Sequence, residues 1–276
     1  MKIRLSFLLA MFTLALPVSA EINKTQLLAH IREAYQIPPE VDLQLGPAKP
    51  SDTPSFDVMD LQMTRAGVLR VEQLYLSNNG RHYFLGGFKD VNVWPHAERV
   101  RQMDLGKSPS LGGSNGITIV EYTDFQCPYC LRGYEIMSQK IMKENPGKVK
   151  WVYKSLPLKA IHPWAEPAAI AALCVNAQGE DKFWKMHDLL FENQRKIKME
   201  SHAAQFRGFA ASAGANLKAY DACVERKTPQ AAIQRDLSEA QALGINGTPA
   251  FVINGHLVSG ADEQAIRQKI DQLLPR

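Results

Sequence analysis

A pair of cysteines separated by two residues constrains this chain more than any other feature. Ile117 to Tyr122 has the apolar pattern of a buried strand, and Cys127-Pro128-Tyr129-Cys130 follows after a short loop and opens a predicted helix that runs to about Lys143. Two cysteines on the first turn of a helix are close enough to pair. A CxxC motif between a strand and a helix is typical of a redox-active site.

The two cysteines are not equivalent in such a helix. Pro128 suits the first helical position, where a missing N–H costs nothing. The free backbone N–H groups and the positive end of the helix dipole stabilise a thiolate at Cys127 more than at Cys130, which lies further into the helix. We therefore predict that Cys127 is the attacking sulfur and Cys130 the resolving one.

Three other interpretations of the motif are weaker. A structural zinc site needs four ligands, and the sequence has no second CxxC and no suitably spaced Cys/His pair. Haem attachment requires histidine at position 131, which is Leu131. An inert disulfide across two residues would constrain the unfolded chain little. No pair among the seven histidines has HxxxH spacing, so we expect packing or surface roles for them, no metal and no cofactor.

The first twenty residues have the layout of a secretory signal peptide. Lys2 and Arg4 precede an apolar run from Leu5 to Leu16, and small residues lead to a predicted cleavage after Ala20. The alternative, a membrane anchor, is disfavoured because a span needs about 20 apolar residues. Export would deliver the chain to an oxidising compartment, where cysteine pairs persist as disulfides.

Composition excludes several other classes of protein. Apolar residues make up 45% and charged residues 22% of the chain, as in ordinary soluble globular proteins. The net charge of +4 falls to +2 once the leader is removed, which is too close to neutral to indicate nucleic acid or an anionic membrane surface as a partner.

The 276 residues allow one large or two modest domains. Residues 21–92 are predicted to form a small α+β domain, with a helix over residues 22–36 and a β-hairpin that turns at Asn79-Gly80. This part contains no cysteine, so we interpret it as a structural or dimerisation module. Residues 93–116 are predicted to be a helical linker and a hinge, the hinge lying in the Gly/Ser-rich segment 107–116.

Residues 117–276 are predicted to form one α/β domain. The pattern is β-α-β, then a helical insertion over about residues 155–243, then β-β-α. Helices are predicted over residues 163–178, 183–194, 203–213, 217–226, 229–243 and 262–274, and a hairpin over residues 250–259 turns at Asn254-Gly255.

Two segments together resemble the Dsb family of bacterial periplasmic thiol-disulfide interchange proteins. They are Val120–Cys130 (VEYTDFQCPYC) and Gly247–Gly255 (GTPAFVING). The resemblance covers about residue 117 to the C-terminus and implies a thioredoxin fold with a helical insertion, preceded here by the small α+β domain. The long insertion is similar to the DsbA-like branch. The Pro-Tyr dipeptide and the N-terminal extension look more like DsbC and DsbG, the dimeric isomerase branch.

The resemblance also implies roles for individual residues in and around the motif. The Thr248–Pro249 bond is expected to be cis and to face the cysteines, where the backbone of Thr248 can pair with an extended client. Pro128 and Tyr129 are assigned to the same client-binding surface. Glu121 stands where the family carries a buried acid that exchanges a proton with Cys130, and its alternative is a solvent-facing strand acid. Asp124 is expected to border the loop.

Two further cysteines, Cys174 and Cys223, lie 49 residues apart on predicted helices of the insertion. We predict a structural disulfide between them, because leftover cysteines usually pair in an oxidising compartment. A second redox-active pair and two free buried thiols remain as alternatives.

The sequence thus predicts a periplasmic thiol-disulfide oxidoreductase that forms, isomerises or reduces disulfides in exported proteins. Its expected partners are reduced or misoxidised exported proteins and a membrane redox protein that recycles the motif, and the N-terminal domain offers a surface for a homodimer. The alternative hypothesis is a non-catalytic periplasmic chaperone or assembly module that holds unfolded clients.

Overall fold

The computed structural model describes residues 23–35, 37–86, 94–113 and 116–274. The predicted signal peptide, residues 1–20, lies outside the described residues, as do the ends of the first predicted helix. The chain divides into two compact units between residues 91 and 92.

The N-terminal unit is one helix and an antiparallel sheet. Its elements in chain order are α1 (Lys24–Ala34), β1 (Asp42–Leu45), β2 (Lys49–Pro50), β3 (Phe56–Arg65), β4 (Val68–Ser77) and β5 (Tyr83–Leu85). The sheet order is β1-β3-β4-β5, with β2 also paired to β3. The core of this unit is aliphatic and consists of Leu27, Ile31, Leu43, Met59, Leu61, Leu74 and Leu76.

One hairpin of this sheet was predicted and a longer one was not. Strands β4 and β5 pair with Leu76 opposite Tyr83, around the expected Asn-Gly turn. The longer hairpin joins β3 to β4 over ten residue pairs and turns at Ala66-Gly67, both with positive φ. Alanine rarely adopts this conformation, so this turn gave no signal in the sequence.

The C-terminal unit holds a mixed sheet with helices packed on it. Its elements are α2 (Pro95–Gln102), β6 (Ser110–Gly112), β7 (Ile117–Thr123), α3 (Pro128–Ile136), α4 (Met142–Glu144), β8 (Val149–Ser155), α5 (Ala165–Asn176), α6 (Glu180–Glu192), α7 (His202–Ser212), α8 (Leu217–Glu225), α9 (Gln230–Ala242), β9 (Ala250–Ile253), β10 (His256–Ser259) and α10 (Glu263–Leu273). A π-helical turn, Met137–Ile141, joins α3 to α4. The sheet order is β10-β9-β7-β8-β6.

The central strand of this sheet carries the chain into the cysteine motif. Strand β7 pairs in parallel with β8 and antiparallel with β9, and it is buried along nearly its whole length. Helices α5 to α9 lie between β8 and β9 in the chain, within the predicted insertion. Thus β7 delivers the motif at its carboxyl end, and the insertion supplies the side chains that surround it.

The structure corrects the predicted hinge at 107–116. Ser110–Gly112 is the edge strand β6, paired antiparallel with β8, and residues 94–113 belong to the C-terminal unit. The glycines permit close backbone approach: a Cβ on Gly113 would lie 2.1 Å from the carbonyl oxygen of Gly147, and one on Gly116 would lie 2.0 Å from that of Lys148. The Gly/Ser-rich composition predicts a flexible hinge, but at Gly113 and Gly116 the missing side chain allows close packing.

Candidate active site

The two motif cysteines sit at the start of α3. Cys127 is the N-cap residue and Pro128 occupies the first helical turn, as predicted from the sequence. The amide N–H of Cys130 donates to the carbonyl oxygen of Cys127 at 3.0 Å. Both thiols are free, and Cys127 retains 5% of its surface exposed whereas Cys130 is fully buried. Cys127 is therefore the sulfur within reach of another molecule.

The surroundings separate the two thiols electrostatically. The pKa of Cys127 is lowered to about 5, mainly by a hydrogen bond from the Cys130 thiol. Burial opposes this shift, and hydrogen bonds from Thr248 and from the backbone N–H groups of Tyr129 and Cys130 assist it. Burial, together with the hydrogen bond and the charge of Cys127, raises the pKa of Cys130 well above its ordinary value. At neutral pH Cys127 is thus a thiolate and Cys130 a thiol, the asymmetry predicted from the helix terminus.

The loop before β9 faces the cysteines. The Thr248–Pro249 peptide bond is cis. Sγ of Cys127 lies 3.6 Å from the carbonyl oxygen of Thr248. The structure therefore brings together Cys127 and the loop that sequence similarity placed opposite it, although 121 positions separate Cys127 from Thr248.

Glu121 is a buried acid in the middle of β7. It is only 1% exposed, so the alternative of a solvent-facing strand acid is wrong. The indole N–H of Trp151 donates to Oε2 at 2.9 Å. Burial raises the pKa of Glu121 to about 7, and the hydroxyl of Thr123 and the indole N–H of Trp151 oppose that rise. A carboxyl group with this pKa can both accept and donate a proton near neutral pH.

Gly133 shows how close this acid comes to the cysteine helix. Gly133 lies one turn after Cys130 on α3, and a Cβ at this position would lie 3.3 Å from Oε1 of Glu121 and 3.3 Å from Cγ of Pro249. The same Cβ would lie 3.1 Å from Cζ of Phe251. The acid and the cis-proline therefore converge on the helix face that carries Cys130.

Asp124, expected to border the loop, fixes its conformation. Its Oδ1 accepts from the N–H of Gln126 at 2.7 Å, and its Oδ2 accepts from the N–H of Leu158 at 2.8 Å. Oδ2 also lies 2.7 Å from Nδ1 of His162. From the sequence we predict only a surface or packing role for His162. Its partner Asp124 is 38 positions away, and no local pattern marks the contact.

Gln194 is a second residue that sequence reasoning missed. Its side-chain amide donates to the carbonyl oxygens of Phe125 and Cys127, both at 2.9 Å. Gln194 lies just after α6 and is buried. A glutamine in the helical insertion thus anchors the backbone of the reactive loop, and nothing in its local sequence signals this contact.

Cys174 and Cys223 lie apart from the reactive pair. They form a disulfide between α5 and α8, with a Cα–Cα distance of 5.7 Å. No group of three or more His, Cys, Asp or Glu side chains in the described part of the chain is arranged to hold a metal ion. No described helix has the length and apolar character needed to cross a membrane.

Among solved structures, this chain is similar over about 60% of its length to several proteins, one of them described as a thioredoxin-like oxidoreductase. BdbD from Bacillus subtilis, in its oxidised form, matches with a TM-score of 0.55 and 24% identity over 60% of this chain and 92% of that chain. A thioredoxin-like oxidoreductase from Silicibacter pomeroyi matches with a TM-score of 0.51 and 27% identity over 60% and 91% of the two chains. ScsC from Proteus mirabilis, in a transitional conformation, matches with a TM-score of 0.51 and 25% identity over 63% and 76%. These similarities confirm the predicted thioredoxin fold.

The curated relatives are much longer than this chain. A protein named Na(+)/H(+) antiporter NhaA 1 from Salinispora arenicola is 32% identical over 145 residues, which are 52% of this chain and 21% of that protein. The chain spans about a fifth of the length of these relatives.

The family comparison covers the unit that carries the cysteines. The family model described as thioredoxin matches residues 106–272, which include the motif, Glu121, the cis-proline loop and the helical insertion. The predicted resemblance to thioredoxin-fold disulfide-exchange proteins is confirmed at this level. The chain belongs to the thioredoxin family.

Proposed function

We propose that this chain is a thiol-disulfide oxidoreductase that acts on exported proteins. The observation that carries the proposal is the asymmetric pair at the start of α3: Cys127 keeps 5% of its surface exposed and its pKa is lowered to about 5, whereas Cys130 is fully buried and its pKa is raised. A thiolate is the nucleophile in disulfide exchange, and a protonated neighbour is the resolving group.

The reaction begins at Cys127. Its thiolate attacks one sulfur of a client disulfide, a Cys127–client S–S bond forms, and the second client sulfur leaves as a thiolate. The Cys130 thiol then loses its proton to the carboxylate of Glu121 and attacks Sγ of Cys127. The mixed disulfide breaks, the client sulfur leaves as a thiolate, and a Cys127–Cys130 disulfide remains. The same steps in reverse transfer that disulfide to a reduced client.

Client binding is assigned to the rim around Cys127. Tyr129 is 68% exposed although it is a large aromatic residue, and it follows Pro128 inside the motif. The carbonyl oxygen of Thr248 lies 3.6 Å from Sγ of Cys127, so the backbone of the Thr248–Pro249 loop can pair with an extended client strand. The roles of Pro128, Tyr129, Thr248 and Pro249 in binding are supported by this exposure and position.

Export to the periplasm is part of the same proposal. It is supported by the leader pattern of residues 1–20 and by the resemblance of the cysteine and cis-proline segments to the periplasmic Dsb family. Reduced or misoxidised exported proteins would be its clients. A membrane redox protein would then restore the motif to the oxidised or reduced state that the reaction direction requires.

A homodimer through the N-terminal unit is proposed from the exposed apolar side chains of β4. In the described residues no strand other than β3 pairs with Val68–Glu72, and Val68, Leu69 and Val71 are 70%, 57% and 49% exposed. A second copy paired antiparallel about Val71 would place Arg70 opposite Glu72 in both directions, so the charges are self-complementary. Light scattering should report a dimer for the mature chain and a monomer for Val71→Lys, and a monomeric mature chain would refute this part.

The activity is tested with scrambled ribonuclease and with a reduced two-cysteine peptide. We expect the mature chain to catalyse one or both reactions and Cys127→Ala to catalyse neither. Reactivation of the ribonuclease would indicate isomerisation, and activity on the peptide alone would indicate oxidation. A Cys127→Ala protein that retains full function would overturn the proposal and favour a non-catalytic chaperone.

A further inference from the structure

Trp151 contacts the active-site acid from the neighbouring strand. It lies on β8, where its Cα is opposite Ile119 of β7, two residues before Glu121. Its side chain is 1% exposed, and its indole N–H reaches diagonally across the two strands to Oε2 of Glu121 at 2.9 Å. An N–H donor to a buried carboxylate is a strong, directional contact.

The two oxygens of Glu121 therefore have different surroundings. Oε2 accepts from Trp151, whereas Oε1 is buried and accepts no hydrogen bond of normal geometry among the described residues. The hydroxyl of Thr123 still lies near enough to the carboxyl group to lower its pKa. Oε1 points toward α3, where it would lie 3.3 Å from a Cβ on Gly133, one turn after Cys130. The free oxygen is thus the one that faces the cysteine helix.

The indole ring is held in place by other aromatic side chains. The ring of Trp184 packs against it with centroids 4.9 Å apart, and that of His187 packs edge-on at 5.3 Å. Trp184 is fixed in turn, because its own indole N–H donates to the carbonyl oxygen of Ser110 at 2.9 Å. Trp151 consequently cannot rotate to donate elsewhere without displacing this cluster.

We propose that Trp151 is a positioning residue for Glu121: its indole N–H occupies Oε2, so that Oε1 alone exchanges the proton with the cysteine helix. The proposal rests on the proposed role of Glu121 as the proton acceptor of Cys130. The indole hydrogen bond is strongest when Oε2 is the unprotonated oxygen, which directs the proton to Oε1. The same bond stabilises the carboxylate form, so it tunes the pH at which Glu121 can accept a proton.

Two matched substitutions separate this role from simple packing. Trp151→Phe keeps an aromatic ring and removes the donor to Glu121. Trp184→Phe removes an equivalent donor from the same cluster, but one that serves a backbone carbonyl. The carboxyl carbon of Glu121 is followed by ¹³C NMR in the reduced protein with labelled glutamate, and its signal is assigned by its loss in Glu121→Gln.

We expect the titration midpoint of Glu121 to move upward by about one pH unit in Trp151→Phe, since a hydrogen bond to the charged form is lost. The pH profile for resolution of a Cys127–glutathione mixed disulfide should move in the same direction. Trp184→Phe should leave both midpoints unchanged. An unchanged midpoint in Trp151→Phe, or equal shifts in the two variants, would overturn the proposal.

A measurement on the unsubstituted protein covers the case in which Trp151→Phe does not fold. The indole ¹⁵N–H signal of Trp151 should titrate with the midpoint of Glu121, and that titration should vanish in Glu121→Gln. An indole signal that does not respond to pH would equally refute the contact. If instead Glu121→Gln resolves mixed disulfides at the normal rate, the proton role of Glu121 fails while the NMR result for Trp151 still stands.

Discussion

The lowered pKa of Cys127 predicts how the reduction potential of the motif depends on pH. Reduction of the Cys127–Cys130 disulfide between about pH 5 and pH 9 consumes two electrons and only one proton, because Cys127 remains a thiolate and Cys130 becomes a thiol. One proton per two electrons gives a slope of about −30 mV per pH unit. Two ordinary thiols would take up two protons and give about twice that slope.

The same shift sets the size of the effect at neutral pH. Relative to an ordinary thiol pKa of 9.0, a value of about 5 stabilises the reduced folded protein. This contribution is fully present above the unfolded pKa and is lost as the pH falls through about 5. At pH 7 it amounts to about a hundredfold, or ~2.7 kcal/mol, which makes the motif more oxidising by ~60 mV.

The assay is equilibration of the mature protein with glutathione buffers at several pH values between 6 and 8. Thiolate absorbance at 240 nm in the reduced protein gives the pKa of Cys127 independently. Glu121→Gln serves as the background control, because the pKa of Glu121 is raised to about 7 and its own titration falls inside this window. A slope near −60 mV per pH unit in that background, or a thiolate midpoint above pH 8, would refute the reasoning.

Three further substitutions test the packing, the ion pairing and the disulfide of the C-terminal unit. Gly133→Ala places a methyl group within 3.1–3.3 Å of side-chain atoms of Glu121, Pro249 and Phe251. We expect the free energy of unfolding in urea to fall by about 1–3 kcal/mol and disulfide exchange to slow. Unchanged stability and rate would contradict the close approach. The buried ammonium of Lys154 pairs with Asp236 at 3.1 Å. Lys154→Met removes this counter-ion, so the free energy of unfolding should fall by about 3–5 kcal/mol. A loss below 1 kcal/mol would show that the pair is not buried in solution. Replacing Cys174 and Cys223 together by serine opens a 49-residue loop. The greater entropy of the unfolded chain should lower the free energy of unfolding by about 4 kcal/mol, while exchange at Cys127 is retained. Free thiols at Cys174 and Cys223 in mass spectrometry of the native protein would contradict this prediction.

Local patterns were sufficient for most elements of the C-terminal unit. The helices from α5 to α10 lie within three residues of their predicted bounds. Helices α6, α8 and α10 have an apolar face at helical spacing, and α5 is a nearly continuous apolar run. The hairpin β9–β10 turns at Asn254-Gly255, where both residues have positive φ. These signals depend on residues close together in the chain.

Elements that depend on distant partners were not predicted. Strand β6 is only three residues long, Ser110–Gly112, and it is a strand because the edge of β8 pairs with it. The π-helical turn Met137–Ile141 also interrupts a helix that the sequence predicted as continuous. In the first case composition indicated a hinge, because glycine serves close packing and flexibility alike.

In the active site, the chemistry of the reactive pair follows from the motif alone. Cys127-Pro128-Tyr129-Cys130 after a strand fixes which sulfur lies at the helix N-terminus, and that position alone favours the thiolate at Cys127. The tertiary structure decided the rest: that Glu121 is buried, that Trp151 occupies one of its oxygens, and that the free oxygen faces the helix of Cys130. Burial and hydrogen bonding depend on which strands and helices are neighbours, and those neighbours lie from 12 to more than 100 positions away in the chain.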